Sequence, residues 1–550
     1  MKNRFLIIYL LSYILLASCI DDKTNLDYKD IILPDSVIVT NVDNQDRFYL
    51  QQSTVGARFK ITGGNELKLD LEVKYRGDDE LTYEWRIDGD VISTEQNLRY
   101  VVTKEGTGQL FVYRKNAGNA TVYSFYVEIR EPFNTGILAI GKNNGKTEMD
   151  FVERYWEKKN VELNGRIYTN FSVTEYIPHE NVYPLYNDGE ELGGNPINVT
   201  RPRGYDYNAL QILDKDWRSS VAVNSGNMKK IVSMKDEFVG DPGNLIPVDF
   251  VSVGATSLLL DQSGKIYTRV NYNKRNPNTG RFITEPLVFD DPYDVPDKGS
   301  EVIKADYIVA KDQLAVIYEK ERKRFLLMTA SDSDGSYHNI DYSVVHDLSR
   351  PSNAGNLPKG YVSLDNFDKE IYAILFHESF YNENIYILYK DGEDCYIQAF
   401  GVSTNLYGAE ALITHTAVSN TKLPANVAEL IKQGKGLVRI SMDASYQDFL
   451  YVGSGKALYS MNMEGLSLTK IHEFTEEGNM TDFVITATWR GDGQNAAQRY
   501  FNGRVFGAAF DNGDFRVLKL YDDPQKPDKV QEKYWVNKNF DGGVSALLYY

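Results

Sequence analysis

One phrase recurs seven times in the C-terminal part of this chain: an apolar run, a turn of Gly, Asp, Asn or Lys, then a second apolar run. It reads GILAIGKNNGKTEMDFV at 136–152, SSVAVNSGNMKKIVSM at 219–234, SLLLDQSGKIYTRV at 257–270 and LAVIYEKERKRFLLMTA at 314–330. It continues as IYILYKDGEDCYIQAF at 385–400, FLYVGSGKALYSMN at 449–462 and VFGAAFDNGDFRVLKLY at 505–521. Starts fall about 40 to 85 residues apart, most near 60. Each phrase is a hairpin within a larger unit, and a small sheet of this kind buries its faces only against its neighbours. A ring of such units predicts a seven-bladed β-propeller over residues 132–550, with six to eight blades compatible with the spacing. The spacing is irregular and no signature dipeptide marks the units, so other β architectures stay open. The last residues, Gly542 to Tyr550, offer a strand to close the ring. Helix is sparse: Pro424 to Gln433, stopped by Gly434, is the one convincing stretch.

Residues 35–131 read as a separate β domain. Period-two runs occur at Ser36–Val39, Ala57–Ile61, Leu67–Val73, Leu81–Ile87 and Thr121–Ile129, each placing alternate side chains on one buried face. Gly63-Gly64, Gly77-Asp78-Asp79 and Asp88-Gly89-Asp90 supply the turns. A sandwich follows, ended by Glu131-Pro132.

The N-terminus is a secretion signal by pattern. Lys2 and Arg4 precede an apolar run from Phe5 to Leu16, and Leu16-Ala17-Ser18-Cys19 closes it. The run is shorter than the roughly 20 residues of a membrane span. The sequence resembles a bacterial lipoprotein signal, which implies cleavage after residue 18 and lipid on Cys19, a membrane anchor of thioether-linked chains. Residues 19–34 then form a lipidated tether. Asp21 and Asp22 resemble the surface-export signal of Bacteroidota lipoproteins, which implies an outer-membrane protein facing outward; an ordinary solvated linker is the alternative.

Tyr83-x-Trp85 followed by Asp88-Gly89 resembles the core strand and turn of PKD domains. With Ile92 to Leu98 and the tether Asp27-Tyr28-Lys29-Asp30, the chain is similar to the PKD-like lipoproteins of Bacteroidota, in which a PKD-like module precedes a long β-rich region. Arg86-Ile87 stands where the usual PKD turn is richer in Gly and Asp, so the match is to the PKD-like relatives. The expected fold class is all-β: an Ig/PKD-like β-sandwich followed by a seven-bladed propeller. Trp85 is expected to fill the sandwich core.

Composition narrows the chemistry. Net charge is −17, and loss of Lys2 and Arg4 with the signal takes it to −19. No basic stripe exists to release phosphate counterions, which argues against a nucleic-acid partner. Of two cysteines, Cys19 is committed to lipid and Cys395, in an alternating run, is expected in the core. No metal and no cofactor are expected. The six histidines are never three or four apart, and His377-Glu378 lacks the second histidine of a zinc-protease helix. No G-x-S-x-G elbow occurs. Asp332-Ser333-Asp334-Gly335 starts like a calcium loop but lacks its later ligands. The acid neighbours Asp214 and Asp216, Asp290 and Asp291, Glu393 and Asp394, and Glu476 and Glu477 read as turn acids, because adjacent strand residues point to opposite faces.

Aromatics remain. Tyrosine numbers 39 and suits strands. In loops, tyrosine and tryptophan also form flat platforms for sugar rings. Tyr205, Tyr207, Trp217, Trp489 and Trp535 are the candidate ligand contacts, with Tyr183, Tyr186 and Tyr534 as further loop-like positions. No catalytic residue is assigned. The expectation is a non-enzymatic surface lipoprotein that binds a glycan or a protein partner, accessory to outer-membrane glycan or nutrient uptake. The rivals are a propeller glycosidase or lyase with dispersed carboxylates, and a structural subunit of an outer-membrane complex.

Overall fold

The computed structural model describes residues 32–43, 45–52, 55–62, 65–115, 119–131, 133–163, 165–201, 209–270, 280–289, 301–311, 313–330, 343–377, 384–405, 412–442, 448–474, 478–485, 505–519 and 534–550. The chain divides into two compact units, Met1–Glu131 and Pro132–Tyr550.

In the first unit two sheets share one core. One orders Arg47–Tyr49, Ser36–Asn41, Glu66–Lys74 and Leu98–Val101; the other orders Ala57–Thr62, Ala120–Arg130, Gly106–Arg114, Leu81–Ile87 and Asp90–Ser93. Alternation decides the burial. In Glu66–Lys74, Leu67, Leu69 and Leu71 are buried, while Glu66, Asp70 and Glu72 are exposed. Trp85 is fully buried, its Nε1–H donating to the Glu95 carbonyl at 2.9 Å, so its expected place in the core is borne out. Its ring meets Phe125 edge-on at 5.8 Å. Gly108 allows this packing, because a Cβ there would lie 2.1 Å from the Phe125 ring. The Asp88-Gly89 turn has φ of 46° and 89°, the left-handed pair that a two-residue hairpin of right-handed twist requires.

Among the described residues the second unit is a succession of small antiparallel sheets: seven of three or four strands, numbered here 1 to 7, and a two-stranded ladder of Val288–Phe289 with Glu301–Val302, which falls between sheets 3 and 4 in the chain. Sheet 1 orders Arg166–His179, Lys146–Leu163, Gly136–Asn143 and Val544–Tyr549. The others follow in chain order. Sheet 2 holds Pro196–Thr200, Ala209–Asp214, Val221–Asn224 and Lys230–Ser233; sheet 3 holds Pro247–Val253, Thr256–Asp261 and Ile266–Val270. Sheet 4 holds Tyr307–Lys311, Leu314–Glu319, Arg324–Ala330 and Ser343–Asp347; sheet 5 holds Glu370–Phe376, Ile385–Asp391, Asp394–Asn405 and Leu412–Lys422. Sheet 6 holds Val438–Met442, Asp448–Ser454, Ala457–Asn462 and Leu468–Glu473; sheet 7 holds Met480–Ile485, Val505–Phe510, Asp514–Lys519 and Tyr534–Asn539. The chain is all-β and this unit is propeller-like.

Six of the seven repeated phrases are the second and third strands of a sheet if sheet 1 is counted from Val544–Tyr549. The exception is 219–234, which supplies the third and fourth strands of sheet 2. Its second strand, Ala209–Asp214, is cut off from the phrase by a 3-10 turn at Trp217–Ser219, so no tight turn marked the hairpin. The middle strands read as continuous apolar runs because both faces are covered: every residue of Ala209–Asp214, Thr256–Asp261 and Val505–Phe510 is buried.

An apolar cluster joins each sheet to the next. Leu138 and Phe151 of sheet 1 meet Leu210 and Ile212 of sheet 2, and Leu213 of sheet 2 meets Phe250 and Leu259 of sheet 3. Like clusters join sheets 3 and 4, 4 and 5, 5 and 6, and 6 and 7. Ile137, Ala139 and Val152 of sheet 1 pack on Val505 and Phe515 of sheet 7. The C-terminal strand pairs Leu548 with Leu138 and Ala546 with Ile140. The last residues of the chain therefore complete the first sheet, as the sequence suggested.

Several first strands begin with a bulge. The ladder skips a residue between Pro196 and Asn198, between Pro247 and Asp249, and between Met480 and Asp482. In each case Oδ1 of the residue after the bulge accepts the next backbone N–H at 2.8 Å: Val199, Phe250 and Phe483 respectively. A side chain thus takes over where the ladder is interrupted.

The helix Ala425–Gln433 buries Val427, Ala428 and Ile431 in the cluster between sheets 5 and 6. Gly434 ends it at a close backbone approach, where a Cβ would sit 2.1 Å from the Gly453 carbonyl oxygen. Cys395 is fully buried in the same cluster, its thiol pKa pushed up by burial, as expected of a core cysteine.

Candidate functional site

A cavity of about 320 Å³ lies between sheets 5 and 6, lined by Tyr386, Ile397, Ser419, Thr421, Asp448, Met463 and Glu464. Strand register builds one wall. Tyr386, Ala399 and Ser419 are successive cross-strand partners, and so are Leu388, Ile397 and Thr421. Direct partners share a face, so the aromatic ring, the aliphatic side chain and the two hydroxyls line up across sheet 5. Tyr386 and Ile397 are buried and form the floor; Ser419 and Thr421 are half-buried at the rim.

Sheet 6 brings the acids. Asp448 starts its second strand, and Glu464 sits in the turn after Asn462. Asn462 Oδ1 accepts the N–H of Glu464 at 2.9 Å and of Gly465 at 2.8 Å, which fixes that turn. Asp448 is held from below by His377, whose fully buried Nε2 lies 2.8 Å from Asp448 Oδ1. The His377 carbonyl in turn accepts from Lys311 Nζ at 2.8 Å. His377 is therefore a positioning residue rather than a zinc ligand; Glu378 lies outside the described residues. An aromatic floor with hydroxyl and carboxylate groups at the rim presents apolar CH contact and hydrogen-bond partners together, the combination a sugar ring takes up.

The aromatics picked from the sequence do not meet there. Trp217 is corrected to a core residue. Its side chain is 4% exposed, its ring meets Phe238 edge-on at 5.3 Å, and Nε1–H donates to the Gly243 carbonyl at 3.3 Å. Arg218 covers the ring at 4.5 Å, so no face is left for a ligand. Trp535 lies in Tyr534–Asn539, the outer strand of sheet 7. Tyr183 is buried with its hydroxyl donating to Glu190 Oε1 at 3.1 Å. Tyr205, Tyr207 and Trp489, like Cys19, Asp21 and Asp22, lie outside the described residues, as do Asp290, Asp291, Asp332, Glu476 and Glu477.

The acid pairs named from the sequence are structural where they are described. Asp214 Oδ2 accepts from Asn195 N at 2.7 Å and its Oδ1 from Asp216 N at 2.9 Å. Glu393 pairs with Lys432 and Asp394 with Lys422. Two residues escaped the sequence reading altogether. Asp448 and Glu464 belong to different turns, and only the pairing of sheet 6 brings them to one cavity. An exposed tryptophan was missed as well: Trp156 is 53% exposed, with the Arg154 guanidinium 4.7 Å from its ring centre. Its place beyond the buried stretch Met149–Glu153, just before the polar Glu157-Lys158-Lys159, was the available signal.

Among the described residues, no group of three or more His, Cys, Asp or Glu side chains is placed to hold a metal ion. No helix there is long and apolar enough to cross a membrane.

No curated protein matches the chain. Among solved structures it is similar to a quinonprotein alcohol dehydrogenase-like protein from Bacteroides thetaiotaomicron, at 10% identity and a TM-score of 0.38, covering 91% of this chain and 99% of that one. It is also similar to the β-propeller domain of Cps50 from Myceliophteria thermophila, at 10% identity and a TM-score of 0.33, covering 70% and 95%. The propeller-like description rests on strand order and packing, not on these distant likenesses. The family comparison reaches the other end of the chain: residues 19–196 match the PKD-like family, through the first unit and on to the start of Pro196–Thr200. The resemblance read from Tyr83, Trp85 and the Asp88-Gly89 turn is borne out: it falls within the stretch 19–196 that matches the PKD-like family.

Proposed function

We propose that this is a cell-surface lipoprotein, anchored through lipid on Cys19, whose Ig-like sandwich spaces a seven-bladed propeller from the outer membrane. The propeller binds a glycan without turning it over, in support of uptake across that membrane. The lipoprotein signal ending at Cys19, with Asp21 and Asp22 behind it, supports the location. The ring of sheets completed by the C-terminal strand supports the blade count.

The observation that carries the binding assignment is the cavity between sheets 5 and 6. Its floor of Tyr386 and Ile397 and its rim of Ser419, Thr421, Asp448 and Glu464 suit a sugar ring, and its volume of about 320 Å³ falls in the range of small-molecule sites. A glycan array probed with the full-length protein tests this. Binding to at least one glycan class is expected, weakened about tenfold or more by Thr421→Val together with Glu464→Gln. Failure to bind any glycan sinks the assignment and favours a structural partner role.

A second reading has its own support: Asp448 and Glu464 are two carboxylates on one cavity, the raw material of a glycosidase or lyase. Incubating each array hit with the protein separates the two readings. Release of products, abolished by Asp448→Asn, establishes the enzyme; recovery of intact glycan establishes the binding protein.

A further inference from the structure

A second, smaller cavity of about 160 Å³ opens where the first strands of sheets 1 to 4 come together. Leu548 comes from sheet 1, Thr200 and Arg201 from sheet 2, Asp249 and Ser252 from sheet 3, and Ala310 from sheet 4. Two buried polar atoms here make no hydrogen bond among the described residues: Thr200 Oγ1 on the cavity wall and Gln211 Nε2 on the next strand, behind that wall. Gln211 is 1% exposed and is the cross-strand partner of Thr200. The two side chains therefore stand side by side on one face of sheet 2. Leu213, in phase with Gln211, packs on Phe250 and Leu259, so that face is turned to sheet 3.

A buried amide donor with nothing to bond is destabilising. Groups left in this state in a native fold call for a bound partner. The partner must offer oxygen to Gln211 and a hydroxyl-like group to Thr200. On the facing strand, Asp249 Oδ1 already accepts from Phe250 N at 2.8 Å and from Asn198 Nδ2 at 3.3 Å, and Oδ2 bonds to none of the described residues. No pair of cations gathers there to select an anion: Arg201 is the one cation among the lining residues, and its guanidinium lies over the Tyr550 ring at 5.0 Å. Leu548 and Ala310 add an apolar wall. Its volume matches about five waters at roughly 30 Å³ each, on the scale of one pyranose ring.

We propose that this cavity binds a neutral polyol, specifically a single sugar residue, through Thr200, Gln211 and Asp249. Burial pushes the Asp249 carboxyl up to about 7, so near neutrality it both donates and accepts. The site is separate from the cavity between sheets 5 and 6 and does not depend on it.

Thermal-shift and calorimetric titrations of the full-length protein with D-glucose, D-galactose, D-mannose and D-glucuronate test the assignment. At least one neutral sugar is expected to raise Tm and give a binding isotherm. Thr200→Val and Gln211→Met are each expected to weaken that binding about tenfold or more, and Lys470→Ala, at an exposed position of sheet 6 outside both cavities, to leave it unchanged. Without sugar, Gln211→Met is expected to keep or raise Tm, because it removes an unmet donor; should it fail to fold, Thr200→Val carries the test. No response to any neutral sugar, meaning that water alone fills the cavity, overturns the proposal. So does a response to glucuronate alone, or sugar binding that survives both variants and is lost in Thr421→Val.

Discussion

Arg439 donates from Nη2 to Asp482 Oδ1 at 2.8 Å, joining the first strand of sheet 6 to that of sheet 7. The other oxygen of Asp482 accepts the Leu547 N–H of the C-terminal strand at 3.2 Å. One carboxylate thus ties three successive sheets at the point where the chain's end meets its middle. Asp482→Ala removes the acceptor from all of these donors at once. An expected loss of about 2–4 kcal/mol follows from charged hydrogen bonds worth roughly 1.5–3 kcal/mol together with a stranded Arg439. Urea unfolding checks this, and Asp482→Asn, which keeps an acceptor, should lose less.

Asp249 carries the clearest pH dependence. Burial raises its carboxyl from 3.8 to about 7 in the folded protein. The folded state then holds a proton that the unfolded state releases between those values. Stability from this group is full below about pH 4 and falls as pH rises through 7. The side chain is only partly covered from solvent, so a loss of about 1–3 kcal/mol between pH 5 and 8 is expected. Asp249→Asn has no proton to lose and should flatten that part of the profile. Denaturant midpoints of the two proteins across this range decide the matter; parallel profiles would refute it.

What could be read from the chain follows from which faces are covered. Strands such as Thr256–Asp261 and Val505–Phe510, covered on both sides, stand out as apolar runs. Outer strands hide. Leu412–Lys422 is LITHTAVSNTK, polar enough to pass for a loop, and Pro196–Thr200 is five residues that open on a proline. The sandwich was legible because strands such as Glu66–Lys74 and Gly106–Arg114 alternate and Asp88-Gly89 names its own turn. The candidate site was not. Tyr386 lies inside a hairpin phrase and looked structural, while Asp448 and Glu464 look like any turn acids. Trp217 misled for the opposite reason: Lys215-Asp216-Trp217-Arg218 has loop composition, yet a short 3-10 turn folds the ring into the core.

Glu237 and Arg269 form a pair buried to 1% and 2% side-chain exposure between sheets 2 and 3, with the guanidinium over the Phe250 and Phe282 rings. Two opposite charges meet there out of water. Glu237→Gln takes the counter-charge away from beside the Arg269 guanidinium and should cost about 3–5 kcal/mol. The double variant Glu237→Leu with Arg269→Met removes both charges and should recover most of that loss. A double-mutant cycle in urea measures the coupling; equal losses in the single and double variants would show that shape, not charge, sets the cost.

The strand Val544–Tyr549 supplies the sharpest test of the ring. Among the described residues it is the strand that pairs with the edge of Gly136–Asn143 opposite Lys146–Leu163, and its Leu547 packs into the cluster that joins sheet 7 to sheet 1. Ending the chain after Asp541 removes this strand, uncovers Ile137 and Ala139, and leaves the backbone groups of Gly136–Asn143 unpaired along that edge. In a closed ring every sheet is covered on both faces, so one missing strand weakens both neighbours of sheet 1. Hydrogen exchange should therefore quicken in Gly136–Asn143 and also in Val505–Phe510, by about a hundredfold if some 3 kcal/mol of local stability is lost. The sandwich core around Trp85 and Phe125 should keep its protection, since it belongs to the other compact unit. Unchanged exchange in sheet 7 would mean that the ring does not close through this strand.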